Sequence, residues 1–193
     1  MENKIQFAPT VMLIDAAYIN KVVADMRVHF SQVLGRELPQ ADLACILECI
    51  GLDAGMRGKD NMIQVILIYD AELPKFTDCV PSALEKELNN VAFKGSLGEF
   101  SIYSFQPSEM ATREDLFIES LQLIGTSKET KRILVVPEEM SYSHKLEPYI
   151  KEMKGKEHIA VFGMNPLPQT ELYEFQLLGF AILQALGIKP DEL

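Results

Sequence analysis

Acidic side chains follow apolar, strand-like runs, either at the end of the run or at the start of the helix after it. The acids at these positions are Asp15, Asp70, Glu114, Asp115, Glu138 and Glu139. Carboxylates that crowd together repel one another, and a bound cation removes that cost. Hard oxygen ligands of this kind suit Mg²⁺ or Mn²⁺, and such an ion can activate water and stabilise charge on a phosphate oxygen. If these acids meet in the fold, they predict a metal site suited to phosphodiester chemistry.

Each acid also has a simpler explanation as a helix-capping residue. Acids are common in the first turn of helices because the free N–H groups and the helix dipole favour negative charge there. Asp115, three residues after Thr112, is explained by capping alone, and Glu138 with Glu139 fits a solvated first turn. Asp15 is the strongest site candidate, because the small residues after it leave room above its strand.

Alternating strand-like and helix-like segments must position these acids. Apolar runs predict strands at 11–14, 63–69, 100–105, 133–136 and 159–162. Helical spacing or capping signals predict helices at about 19–33, 43–50, 82–95, 112–124, 143–153 and 170–186. This alternation predicts one α/β domain over residues 1–193, a three-layer sandwich around a central, mostly parallel five-stranded sheet. Ligands bind such sheets outside the carboxyl ends of the strands, which is where the acids are expected.

Composition limits the classes of partner and compartment. The net charge is −10 and no basic run exceeds two residues, which counts against RNA binding because lysine and arginine drive affinity for phosphates. Cys45 and Cys49 lie one helical turn apart, but no second ligand pair accompanies them, so we interpret them as core thiols. Three sparse cysteines, no signal peptide and no apolar run of membrane-spanning length favour a cytoplasmic protein without a membrane partner.

Three stretches of the sequence resemble an NYN domain, a branch of the PIN-like ribonucleases. They are VMLIDAAYIN (11–20), ILIYD (66–70) and residues 132–163. The order of elements, with two helices between the first two strands, is also the order of that fold. The resemblance implies Mg²⁺- or Mn²⁺-dependent hydrolysis of RNA phosphodiesters. Asp15 and Asp115 would bind the metal together with Asp70, and Glu138 or Glu139 would be a further ligand or the base that orients water.

The departures from the NYN pattern fall at the site and spare the core. Ala16 replaces a glycine, Asn20 is displaced, and the Lys-Gly-Val that precedes the aspartate matched by Asp115 is missing. Residues 137–142 read PEEMSY where the family has Ser-Gly-Asp-x-Asp-Phe. Glutamate is one methylene longer than aspartate, and catalytic ligands must be held to about half an ångström. We therefore expect a retained fold with an altered or lost activity.

The competing hypothesis is a noncatalytic interaction module on the same fold, including a homodimer. Its support is the apolar C-terminal helix, which contains Phe175, Leu178, Phe180, Ile182 and Leu183. A phosphatase of the haloacid dehalogenase type would need a second aspartate two residues after Asp15, where Ala17 stands. The sequence contains no phosphate loop and no nucleophile elbow, and the three histidines lie on unrelated segments.

Overall fold

Six parallel strands and one antiparallel edge strand form the main sheet in the computed structural model, which describes residues 6–193. In chain order the strands are β1 (Thr10–Asp15), β2 (Ala41–Asp42), β3 (Asn61–Ile68), β4 (Cys79–Val80), β5 (Val91–Lys94), β6 (Gly98–Phe105), β7 (Arg132–Val136), β8 (His158–Gly163) and β9 (Glu174–Leu177). The main sheet has the order β5-β6-β3-β1-β7-β8-β9, with β5 antiparallel, and β2 pairs separately with β4. Its parallel strands, numbered along the chain, have the doubly wound order 3-2-1-4-5-6.

Helices cover the central strands of the sheet on both faces. They are α1 (Ala16–Leu34), α2 (Leu43–Asp53), α3 (Arg113–Thr126), α4 (Glu147–Glu152) and α5 (Gly179–Ala185). Successive residues of β1 point to opposite faces, so Met12 packs into a core with α1, α2 and α5, whereas Leu13 packs into a second core with α3 and α4. The predicted α/β class and three-layer sandwich are confirmed. None of the helices in residues 6–193 is long and apolar enough to span a membrane.

All five predicted strands and the first, second and fourth predicted helices are confirmed, with boundaries shifted by a few residues. The count of five strands is wrong, because β5 and β9 extend the sheet to seven. Residues 143–153 form a short 3-10 helix, Ser143–Lys145, followed by α4 rather than one continuous helix.

The helix predicted at 82–95 is wrong, because tertiary contacts hold this segment in turns. Glu87, not Glu85, accepts hydrogen bonds from the N–H groups of Ser82 and Ala83. The hydroxyl of Ser104 in β6 donates to the carbonyl of Leu84. The Leu84 carbonyl would be bonded within a helix, whereas here it is bonded to β6, and the chain then enters β5.

The long helix predicted at 170–186 is also wrong. Glu174–Leu177 forms β9 and pairs with Ala160–Gly163 of β8, so only Gly179–Ala185 remains helical. Leu178 and Ile182 of this stretch lie in the core shared with α2, whereas Phe180 is 68% exposed.

Candidate functional site

Asp15 is the first polar side chain after the buried strand β1. It ends the strand in an extended conformation and caps α1, because its Oδ1 accepts a hydrogen bond from the N–H of Tyr18 at 3.0 Å. The residue is 0% exposed. A carboxylate buried this completely needs further partners to offset the loss of water.

Arg113, the first residue of α3, supplies the opposite charge. Its Nε donates to Oδ2 of Asp15 at 2.9 Å, and its Nη2 donates to Oε2 of Glu138 at 2.9 Å. Its Nη1 pairs with Oδ2 of Asp70. The side chain is only 17% exposed. One guanidinium therefore joins the exits of β1, β3 and β7.

Tyr142 completes the contacts of Asp15. Its hydroxyl donates to Oδ2 of Asp15 at 2.5 Å, and its ring packs against Phe117 of α3 with the ring centroids 5.1 Å apart. Asp15 thus accepts hydrogen bonds from Tyr18, Arg113 and Tyr142. We call Asp15, Asp70, Arg113, Glu138 and Tyr142 the Arg113 cluster.

Charge and burial shift two pKa values in the Arg113 cluster. Burial lowers the pKa of Arg113, but the carboxylates of Asp15, Asp70 and Glu138 outweigh that effect, so the net shift is upward. Burial raises the pKa of Tyr142, and the charge and hydrogen bond of Asp15 raise it further. Both groups therefore keep their protons across the physiological range, Arg113 as a cation and Tyr142 as a neutral donor.

Glu139 lies beside the Arg113 cluster and ties three elements together. Its Oε2 accepts from the hydroxyl of Tyr18 in α1 at 2.8 Å and from the N–H of Met164 at 3.2 Å. Its Oε1 accepts from the N–H of Asn165 at 2.6 Å. Burial and the adjacent Glu139 raise the pKa of Tyr18. Glu139 thus holds the loop after β8 in place through the N–H groups of Met164 and Asn165.

Asp115 points away from the cluster and forms a capping box. Its Oδ2 accepts from the N–H and the hydroxyl of Thr112 at 2.9 and 2.8 Å, and its own N–H donates to Oγ1 of Thr112. The hydrogen bonds from Thr112 lower the pKa of Asp115. Its neighbour Glu114 pairs with Lys145 at 2.6 Å. This is the capping role that the spacing from Thr112 indicates.

The cluster lies at the point where the strand order reverses. The chain leaves β1 towards β3 on one side, and β7 pairs with β1 on the other. Doubly wound sheets form their ligand sites at this position. The sequence-predicted acids Asp15, Asp70 and Glu138 meet there, Glu139 lies next to them, and Asp115 does not reach them.

The sequence interpretation missed Arg113, Tyr142 and Tyr18. One local signal for Arg113 was present, because it opens α3 where acidic residues are favoured and a cation is opposed by the helix dipole. A cation at that position indicates a compensating anion from elsewhere in the fold. Tyr142 has no comparable local signal, because its partner Asp15 is 127 residues away.

With Arg113 bonded to its acids, the cluster is not arranged to bind a divalent metal. Arg113 lies between the acids, and the two carboxylate oxygens of Asp15 accept hydrogen bonds from three protein donors. Among residues 6–193, no group of three or more His, Cys, Asp and Glu side chains has the arrangement of a metal site. Cys45 and Cys49 are free thiols with their sulfurs 4.0 Å apart. Burial raises the pKa of Cys49 to about 12, which keeps it protonated.

Comparison with known proteins identifies a family for the chain. Residues 4–193 match the model described as "Family of unknown function (DUF6621)". The chain belongs to this family. No curated protein and no solved structure matches it. A function for this DUF6621 protein is therefore inferred from its own geometry.

Proposed function

We propose that this DUF6621 protein is a noncatalytic interaction module on a PIN-like fold, in which Arg113 takes the place of a divalent cation. The observation that carries the proposal is the guanidinium bonded to Asp15, Asp70 and Glu138 at three strand exits. Arginine presents five donors in a fixed fork and does not lose its proton in proteins. The acids therefore have a permanent internal counter-ion.

The energetics of burial favour the arginine over an incoming metal. Removing one partner of a buried ion pair costs about 3–5 kcal/mol, because the other charge is left uncompensated. A metal would have to displace Arg113 from Asp15 and break the hydrogen bond from Tyr142. Three carboxylates and one guanidinium leave two negative charges, but Asp70 and Glu138 are partly exposed, so water screens them.

Metal-dependent hydrolysis of RNA is the second candidate. It is supported by the convergence of Asp15, Asp70 and Glu138 at the reversal of strand order. It requires Mg²⁺ or Mn²⁺ as cofactor and RNA as partner, and the net charge of −10 opposes the latter. A homodimer through the C-terminal helix has less support, because α5 buries its apolar face on α2.

The first experiment is a Mn²⁺ titration of the metal-stripped full chain, followed by calorimetry and by thermal unfolding. We expect no saturable binding by the wild type up to about 1 mM Mn²⁺, an affinity of about −4 kcal/mol. Arg113→Gln is expected to lower the unfolding temperature because Asp15 loses its counter-ion. Mn²⁺ should then raise the unfolding temperature of Arg113→Gln and leave that of the wild type unchanged.

Matched variants keep this test interpretable. Arg36→Gln breaks a more exposed ion pair with Glu192 and should behave like the wild type. If Arg113→Gln does not fold, Arg113→Lys retains a cation with fewer donors and should fold without a response to Mn²⁺. Saturable Mn²⁺ binding by the wild type that Asp15→Asn abolishes, together with Mn²⁺-dependent cleavage of RNA, would overturn the proposal in favour of the nuclease.

A further inference from the structure

Within residues 6–193, one part of the main sheet has no covering layer on its α3 side. The residues on this surface, called here the bare face, are Met62, Gln64, Ala92, Lys94, Glu99, Ser101, Tyr103 and Phe105. They share one face because strand residues alternate, and because Lys94 stands opposite Glu99 and Met62 is in register with Glu99. The alternate residues of β6, such as Phe100 and Ile102, are buried in the core on the opposite face.

The layer is missing because of how the connections run. The segment between β3 and β6 packs Phe76, Leu84 and Leu88 onto the α1 and α2 side. On the other side, α3 reaches only as far as the end of β3, where Ile66 and Ile68 are buried. A groove of about 420 Å³ lies beside the uncovered strands, between the segment Gln6–Pro9 and the start of β3 and β6.

Apolar side chains on the bare face stay accessible to solvent. Met62 is 61% exposed and Phe105 is 48% exposed. Removing apolar area from water contributes roughly 25 cal/mol per Å². Covering the bare face with another surface would therefore be favourable, as the packing of helices is on the rest of the sheet.

We propose that the bare face binds the same face of a second copy of this chain. The charge of the surface selects this occupant. Among its eight residues, Lys94 and Glu99 are the charged ones and sum to zero, and Glu129 adds one negative charge at the adjoining groove, whereas the whole chain carries −10. Most of the surface therefore repels another copy, and the bare face does not. A two-fold axis would place Lys94 of one copy against Glu99 of the other, since such interfaces are self-complementary.

The edge of the sheet favours contact through faces rather than through strand edges. β5 is the outermost strand, has four residues and carries Lys94. Short edge strands with lysine resist pairing with another strand. When two sheets stack about 10 Å apart, their edge strands stay unpaired and the side chains of both bare faces interdigitate.

The size of the bare face predicts weak association. The eight residues of β6 span about 26 Å and three adjacent strands about 14 Å. The projected area is thus about 370 Å² per copy, below the roughly 800 Å² of a standard interface. We expect a dissociation constant in the micromolar range or weaker. This surface is separate from the Arg113 cluster, so the Mn²⁺ result does not bear on it.

Sedimentation equilibrium of the full chain, from about 1 µM to about 1 mM, tests the dimer. We expect a monomer–dimer equilibrium that Lys94→Glu and Glu99→Lys each weaken at least tenfold. The double exchange, Lys94→Glu with Glu99→Lys, should restore it to within about threefold. The two single changes move the net charge in opposite directions, to −12 and −8 from −10. A loss in both therefore cannot come from overall charge.

Phe180→Ser is the matched control on a different surface. Phe180 lies on α5 and is 68% exposed, so its replacement should leave the dissociation constant unchanged. A chain that is monomeric at every concentration overturns the proposal. So does a dimer that ignores the charge exchanges but is lost in Phe180→Ser, since that result places the interface on the C-terminal helix.

Discussion

Arg113 joins three strand exits because the guanidinium carries donors on three of its sides. Nε faces Asp15, while Nη1 and Nη2 face Asp70 and Glu138. An ammonium group is a single point charge on a flexible chain and cannot fix three acids in one geometry. Arg113 therefore sets the relative positions of the acids as well as compensating their charge.

The hydroxyl of Tyr142 is expected to make stability depend on alkaline pH. Burial and Asp15 raise its pKa above the value of about 10 in the unfolded chain. Above pH 10 the unfolded state releases a proton that the folded state retains, so stability is fully present below pH 10 and falls as the pH rises. Tyr142→Phe should cost about 1.5–3 kcal/mol at pH 7 through the lost bond to a carboxylate. That difference from the wild type should shrink above pH 10.

Urea unfolding at pH 7 and at about pH 10.5 measures both values. Tyr149→Phe is the control, because within the described chain the Tyr149 hydroxyl makes no hydrogen bond to an acid. A difference between Tyr142→Phe and the wild type that stays constant with pH would contradict the assignment.

The sequence predicts where the acids lie but not which residue balances their charge. Asp15 is recognisable because it ends an apolar strand, and Asp70 and Glu138 follow the same rule. Arg113 is 98 residues from Asp15, and nothing local states which distant charge it meets. Residue type and position identify the groups that need compensation, whereas the tertiary fold decides what compensates them.

The start of α3 positions Arg113, so the capping box matters beyond the helix itself. Thr112→Ala removes the hydroxyl that accepts from the N–H of Asp115 and should cost about 0.5–2 kcal/mol, the range for the loss of an N-cap. Asp115→Ala should also destabilise the chain. The double variant should lose less than the sum, because both residues form one unit.

Chemical denaturation of the two single variants and the double variant measures this coupling. The same variants separate the two roles of Asp115. A capping residue affects stability equally with and without Mn²⁺, whereas a metal ligand would make the stabilisation by Mn²⁺ disappear in Asp115→Ala. The second result would restore the metal-binding role that the NYN resemblance implies.

Elements were predictable where the apolar pattern and the tertiary contacts agree. Residues 11–14 and residues 65–68 are apolar and buried on both faces, as expected for a covered parallel strand. The segment 82–95 has a helix-like start, but contacts with Ser104 in β6 hold it in turns. Residues 174–177 are equally ambiguous locally and become a strand because β8 offers a free edge.

In residues 6–193, helices cover both faces of the sheet at its centre. Near the β5 edge they cover one face only. The sequence predicts three layers from the alternation of strands and helices. It does not predict that the α3 layer ends at β3. That depends on which face of the sheet the 69–97 connection packs against. The segment takes the α1 and α2 side through Phe76, Leu84 and Leu88.

The pairing of a fully buried acid with a single arginine also constrains how the DUF6621 family can evolve. Losing Arg113 alone leaves the charge of Asp15 buried, and losing Asp15 alone removes the only fully buried partner of Arg113. Each single replacement destabilises the folded chain, and replacing the second residue as well removes the uncompensated charge. In an alignment of family members, positions 15 and 113 should therefore be kept or exchanged together. Positions 70 and 138 are partly exposed and should drift independently, so equal covariation at all four positions would contradict this inheritance pattern.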